Sequence, residues 1–214
     1  MTAAEPRPPV QPGQPAPEFT LPAASGEGSV SLAQYRGKSP VYLALFRGLY
    51  CSFCRRHVVH LGSTAEKLRE VGVQTLGVVA TDPERARFYF KFRPPRMPMG
   101  ADPELATHQA YGLPNIPLTP EAVDVAQTAA ARELRRLNQP VAADPLEALK
   151  KLDGYEATPA DNADFMRHQA QLIGTFLVDR NGIVRHAFVE CAEGPGTFGE
   201  MPSAEEILAS ARAL

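Results

Sequence analysis

The stretch Val41-Tyr-Leu-Ala-Leu-Phe46 is six apolar residues with no polar break, the pattern of a strand buried on both faces of a sheet. Past the loop Arg47-Gly-Leu-Tyr50, apolar residues Val58, Leu61, Ala65 and Leu68 recur at helical spacing as far as Gly72. Val73 to Ala80 is a second apolar strand, so these segments predict a β-α-β unit. A helix from Pro83 to about Phe92, a short strand near Met97 to Met99 and a helical turn from Pro103 to Tyr111 continue the alternation. Later, Leu172 to Val178 and Ile183 to Val189 flank Asp179-Arg-Asn-Gly182, whose Asn-Gly predicts a hairpin turn. Ser203 caps a closing helix, Ala204 to Ala213, with Glu206 at capping-box spacing. The pattern predicts an α/β domain with helices on both faces of its sheet.

Two stretches fall outside this alternation. Residues 1–13 belong to a proline-rich start, with seven prolines between Met1 and Pro22, which predicts an extended surface arm because each proline fixes φ and removes a donor. Residues 114–169 fit no strand but carry helical patterns from Pro120 to Asn138 and from Pro145 to Lys151. That segment is too long for an ordinary loop. Its apolar positions Val123, Val125, Leu134, Leu137, Leu146 and Leu149 need a cover, which would be the edge of the sheet domain or a second copy of the chain in a homodimer. We therefore expect one domain over 14–214, interrupted by a helical insertion that reaches toward the Cys51 edge as a lid.

Composition narrows the partners. The 214 residues hold 22 basic and 24 acidic side chains, a formal net charge of -2, with 44% hydrophobic and 21% charged residues. This balance predicts neither a nucleic-acid nor an anionic-membrane partner. No apolar run approaches the roughly 18 residues of a membrane span, and the start lacks the pattern of a signal peptide, so a cytoplasmic location is expected. Three cysteines do not make an even-numbered disulfide framework, and two of them stand as Cys51-Ser-Phe-Cys54.

At a helix N-terminus a thiol meets unpaired N–H groups and the positive end of the helix dipole, and its pKa falls. Cys51 is placed there, with Arg47, Arg55 and Arg56 as neighbouring positive charges. Cys54, at about 100° per residue, shares the stripe of Val58, Leu61, Ala65 and Leu68. An exposed Cys51 is thus expected to attack and a sheltered Cys54 to resolve the mixed disulfide or sulfenic acid. The series Cys51, Cys54, His57, His60 also has the look of a zinc ligand list. However, roughly 13 Å of helix separates its ends and His60 falls on the polar face, too far apart for one tetrahedral ion. No metal is assigned, and His57 is read as a packing residue beside Cys54. Cys191 is read as a buried strand thiol, with a distant resolving cysteine as its functional alternative. The Arg132, Arg135, Arg136 cluster is read as a solvated helix face, and His108, His168 and His186 have no spacing that suggests a site.

The strand, the Cys-x-x-Cys at the following helix start and the late hairpin resemble the thioredoxin fold, a central mixed sheet with helices on both faces. Phe46-Arg-Gly-Leu-Tyr-Cys-Ser-Phe-Cys-Arg-Arg56, Gly100-Ala-Asp-Pro with Tyr111-Gly-Leu, and Gly174-Thr-Phe-Leu-Val-Asp-Arg-Asn-Gly182 resemble the peroxiredoxin-like branch of the alkyl hydroperoxide reductase and thiol-specific antioxidant superfamily, over residues 14–113 and 172–214. The resemblance implies an antioxidant thiol oxidoreductase that reduces peroxides or disulfides without a bound cofactor, re-reduced by a thioredoxin-like protein or a low-molecular-weight thiol. Its site residues would be Cys51, Cys54, Arg47 and Tyr50. A non-catalytic module of the same fold, binding a protein or a metal through the cysteine edge, is the alternative from another class.

Overall fold

The computed structural model describes residues 7–214, so the first six residues of the arm lie outside the described residues. The strands are β1 (Thr20–Pro22), β2 (Ser29–Ser31), β3 (Val41–Phe46), β4 (Gln74–Val79), β5 (Met99–Ala101), β6 (Asn115–Ile116), β7 (Ala170–Gln171), β8 (Gly174–Val178) and β9 (Val184–Val189). The α-helices are α1 (Ser52–Glu70), α2 (Pro83–Phe92), α3 (Ala106–Ala110), α4 (Pro120–Arg136), α5 (Pro145–Lys151), α6 (Pro159–His168) and α7 (Ala204–Arg212).

Five strands form the central sheet in the order β5-β4-β3-β8-β9. β3 runs parallel to β4 and antiparallel to β8, so the sheet is mixed, as a thioredoxin-like fold requires. β3 lies at its middle and is buried at every position. Its side chains alternate between two cores, as period-two geometry dictates. Tyr42, Ala44 and Phe46 pack with α1, α4 and α7 residues such as Leu61, Leu134 and Ile207. Val41, Leu43 and Leu45 pack on the other face with Leu76, Phe176, Tyr111 and the arm residue Val10. The β8–β9 turn is closed by Asp179, whose carboxylate accepts from the Asn181 and Ile183 N–H groups, with Gly182 at φ 81°. The predicted capping box of the last helix is present in both directions.

Several expectations need correction. The strand placed near Met97 to Met99 begins at Met99, because Pro98 cannot donate to a ladder and instead accepts from Gly77 N–H. The helical turn from Pro103 starts only at Ala106, after Leu105 at φ 59°. The insertion is not free of strand: β6 within it pairs antiparallel with β7. It also holds a third helix, α6, whose start carried a legible signal, the capping box Thr158-Pro-Ala-Asp161. The short hairpin β1–β2 was not expected either, since three-residue half-exposed strands carry little periodicity. Val123 remains exposed, whereas Leu134 and Leu149 enter the same core as the cysteines. Among the described residues, no helix is long and apolar enough to cross a membrane.

Candidate functional site

The site lies where β3 ends. Phe46 is the last sheet residue, Arg47 to Tyr50 form the connecting loop, and Cys51 is the N-cap of α1. The Cys51 sulfur accepts a hydrogen bond from the Cys54 N–H at 3.2 Å. It thereby takes the part that a serine or aspartate oxygen usually plays at a helix start. Gly48 lets this loop fold tightly: a Cβ there would meet the Tyr50 ring at 2.7 Å.

Arg47 is buried, and its guanidinium is held on three sides. Its Nε donates to Gln171 O, its Nη2 pairs with Glu190 Oε2 at 2.5 Å, and the Phe198 ring lies 4.7 Å from Cζ. The remaining edge presents Nη1 to the Cys51 sulfur at 3.5 Å. Glu190 is itself buried and fully used: Oε2 also accepts from Ile173 N–H at 3.0 Å, and Oε1 from Gly199 N–H at 2.6 Å. Gly199 is needed for that approach, since it sits at φ 75° and a Cβ would strike the Phe53 ring.

These contacts set the two thiols apart. Burial disfavours the Cys51 thiolate, but its hydrogen bond with the Cys54 side chain, the Arg47 charge and the Cys54 N–H outweigh burial and bring the pKa from 9.0 to about 6. Glu190 pulls the other way. Burial and the same bond to Cys51 drive the Cys54 thiol well above its ordinary value. Cys51 is thus the thiolate and Cys54 the thiol at neutral pH, an asymmetry that suits attack followed by resolution. The rate of iodoacetamide alkylation at Cys51 is expected to rise through a midpoint near pH 6 and to stay level from pH 7 to 8. A midpoint above pH 8, read by mass spectrometry of the labelled peptide, would contradict this arrangement.

Four readings of the sequence change here. Cys51 is not exposed: only 7% of its surface is accessible. Arg55 and Arg56 do not serve the sulfur but turn to the insertion. Arg55 makes a two-point pair with Asp153 at 2.6 and 3.1 Å, and Arg56 pairs with Glu133 at 2.9 Å. Arg132 is not simply solvated, because it donates to Gly196 O and Phe198 O and so steadies the segment that carries Phe198 and Gly199. Cys191 lies just past β9 at φ 61°, half-buried, and burial pushes its thiol up to about 11.

The other residues singled out from sequence are also placed. Tyr50 lies in the loop just before Cys51, edge-on to Phe165 of α6 at 5.6 Å, with its hydroxyl donating to Gln169 O at 3.4 Å. His57 is buried, neutral and bonded to Gly199 O, its pKa driven by burial to about 3. His108 and His168 are buried structural groups that bond Phe46 O and Pro103 O. Through Tyr50, Arg55 and Arg56 the insertion does reach the cysteine edge. Glu190, Gln171, Phe198 and Gly199 were not singled out from sequence, and nothing local marks them, because they reach Arg47 and its partners only through the sheet.

Three comparisons bear on this arrangement. Residues 12–187 match the profile of the AhpC/TSA family. The thiol-disulfide oxidoreductase ResA of Halalkalibacterium halodurans is 33% identical over 109 residues, which is 50% of this chain and 60% of that protein. The chain therefore spans less than two thirds of that curated relative. Among solved structures, the reduced 2-Cys peroxiredoxin of Plasmodium vivax superposes with a TM-score of 0.61 at 18% identity, covering 96% of this chain and 82% of its own. The peroxidoxin BcpB of Mycobacterium tuberculosis superposes with a TM-score of 0.59 at 14% identity, covering 96% and 98%. At such identities these two structures speak for the fold.

Proposed function

The chain belongs to the AhpC/TSA family, and from that premise we propose that it is a thiol-dependent oxidoreductase in which Cys51 attacks and Cys54 resolves. The observation that carries this reading is the pair of opposed thiols at one helix start: a Cys51 thiolate held by Arg47 and the Cys54 N–H, three residues from a protonated Cys54.

Two electron acceptors suit this pair, peroxides and disulfides. With a peroxide, a Cys51 S–O bond forms as the O–O bond breaks, an alcohol or water leaves with a proton, and Cys51 becomes a sulfenic acid. Cys54 then closes the Cys51–Cys54 disulfide and water leaves. With a disulfide, Cys51 forms a mixed disulfide, the first substrate thiol departs, Cys54 attacks Cys51, and the second thiol departs. Both routes end in the same internal disulfide, and two electrons from a dithiol protein or two small thiols restore the reduced pair. The low exposure of Cys51 favours an acceptor that presents its S–S or O–O bond at a narrow end. Arg47 is the group that holds the attacking anion, and Tyr50 stands beside it in the loop before Cys51.

The test is peptide mapping after one equivalent of hydrogen peroxide or of oxidised dithiothreitol, beside turnover assays with peroxide and with insulin disulfides. The expected result is a Cys51–Cys54 bridge with Cys191 free, turnover with at least one acceptor, and loss of that turnover in Cys51→Ser. An inert Cys51, or a bridge that always includes Cys191, would overturn the assignment of roles.

A further inference from the structure

Away from the cysteines, a groove of about 450 Å³ runs between α1 and the segment that follows α2. This lies within the roughly 300–1,000 Å³ range of small-molecule sites. Its floor is apolar: Val58 and Val59 from α1, Tyr89 and Phe90 from α2, and the rings of Pro94 and Pro95. Val59 is 69% exposed, although it lies on a helix whose buried face is otherwise well satisfied. The segment can lie close to α1 because residue 62 is glycine: a Cβ there would stand 3.3 Å from the backbone nitrogen of Arg96.

Four arginines line the groove, the buried Arg55 together with Arg56, Arg93 and Arg96, against the single carboxylate of Asp153. Asp153 is spent on Arg55, and Arg56 is spent on Glu133 outside the groove. Arg93 and Arg96 have no acidic partner among the described residues. Arg93 meets only the Asp153 backbone carbonyl at 3.4 Å and the Tyr89 ring. Two prolines stand between these arginines and fix the backbone φ at both positions, so the backbone that presents the two exposed side chains is preset.

We propose that this groove binds an amphipathic organic anion: an apolar chain along Val58, Val59, Tyr89, Phe90 and the prolines, with its carboxylate on Arg93 and Arg96. Charge complementarity selects the head, since a guanidinium donates two parallel N–H groups to a carboxylate. The apolar floor selects the chain, because each methylene it takes from water favours binding. The site is separate from the cysteine chemistry, and its test does not depend on that chemistry.

The test is calorimetric titration of the full chain with dodecanoate below its micelle concentration, with dodecanol and dodecyltrimethylammonium as neutral and cationic counterparts. Dodecanoate is expected to bind at one site, and each counterpart at least tenfold more weakly. The Arg96→Ala variant keeps the Cβ that packs near Gly62, and both Arg93 and Arg96 are exposed, so the variants should fold with unchanged circular dichroism. Arg93→Ala/Arg96→Ala is expected to weaken dodecanoate at least tenfold and to leave dodecanol unchanged. Equal binding of dodecanol and dodecanoate, undiminished binding to the double variant, or no binding of dodecanoate at all would each overturn the proposal.

Discussion

Replacing Arg47 by methionine is expected to slow Cys51 alkylation at pH 7 at least tenfold and to destabilise the fold by about 3–5 kcal/mol, the usual cost of removing one partner of a buried ion pair. The kinetic part follows because Arg47 Nη1 is the side-chain cation against the sulfur, and without it burial again disfavours the thiolate. The thermodynamic part follows because Glu190 keeps its two backbone donors but loses its counter-charge. The alkylation midpoint should move from near pH 6 to about 8 or above, the shift that a tenfold loss of thiolate at pH 7 requires, and urea melts should show a lower midpoint at an unchanged slope. A double-mutant cycle with Glu190→Gln separates the two effects, since the pair of substitutions leaves no buried net charge. The double variant is expected to recover part of the stability of Arg47→Met without recovering its reactivity. Wild-type alkylation in Arg47→Met would show that the helix start alone holds the thiolate.

Glu190→Gln alone breaks the same ion pair yet should move the thiol in the opposite direction. The Glu190 carboxylate raises the Cys51 pKa through its own negative charge, and a glutamine of the same shape removes that charge. Cys51 alkylation at pH 5 is therefore expected to rise several-fold while stability falls. The sign for stability against pH is also fixed. Cys51 has a folded pKa below its unfolded value, so between about pH 6 and 9 the unfolded chain holds more protons at this site, and its contribution to stability grows with pH across that window. In Glu190→Gln the lower edge of the window should shift further down. Measured in a Cys54→Ser background, which removes the coupled thiol, a rise in the Cys51 midpoint would show that Glu190 acts by placing Arg47 rather than through its own charge.

These two residues also mark the boundary between what is local and what is not. The core strand Val41–Phe46, the helix from Ser52, the Asn-Gly turn and the Ser203–Glu206 box were all legible, because each rests on interactions within a few residues: side-chain periodicity, caps and turn geometry. The placing of Cys51 at a helix N-terminus with Cys54 on the buried face is of the same kind, a consequence of i to i+3 spacing. The helix α6 was legible in principle from Thr158 and Asp161, but its single apolar turn around Phe165 gave no amphipathic stripe to point to it.

The sequence by itself therefore determined the α/β order, the helix that presents the cysteines and the place of Cys54 on the buried face of that helix. The tertiary structure decided which charge tunes the sulfur. Arg47, Arg55 and Arg56 all lie near Cys51 in sequence, yet only Arg47 is turned to the sulfur, while Asp153 and Glu133 of the insertion draw the other two away. Glu190, 143 residues from Arg47, arrives because β9 closes the edge of the sheet beyond β8, which pairs with β3. The physical reason is that a buried charge must find its partner wherever the fold brings one, and a chain pattern read a few residues at a time carries no record of what lies across the sheet.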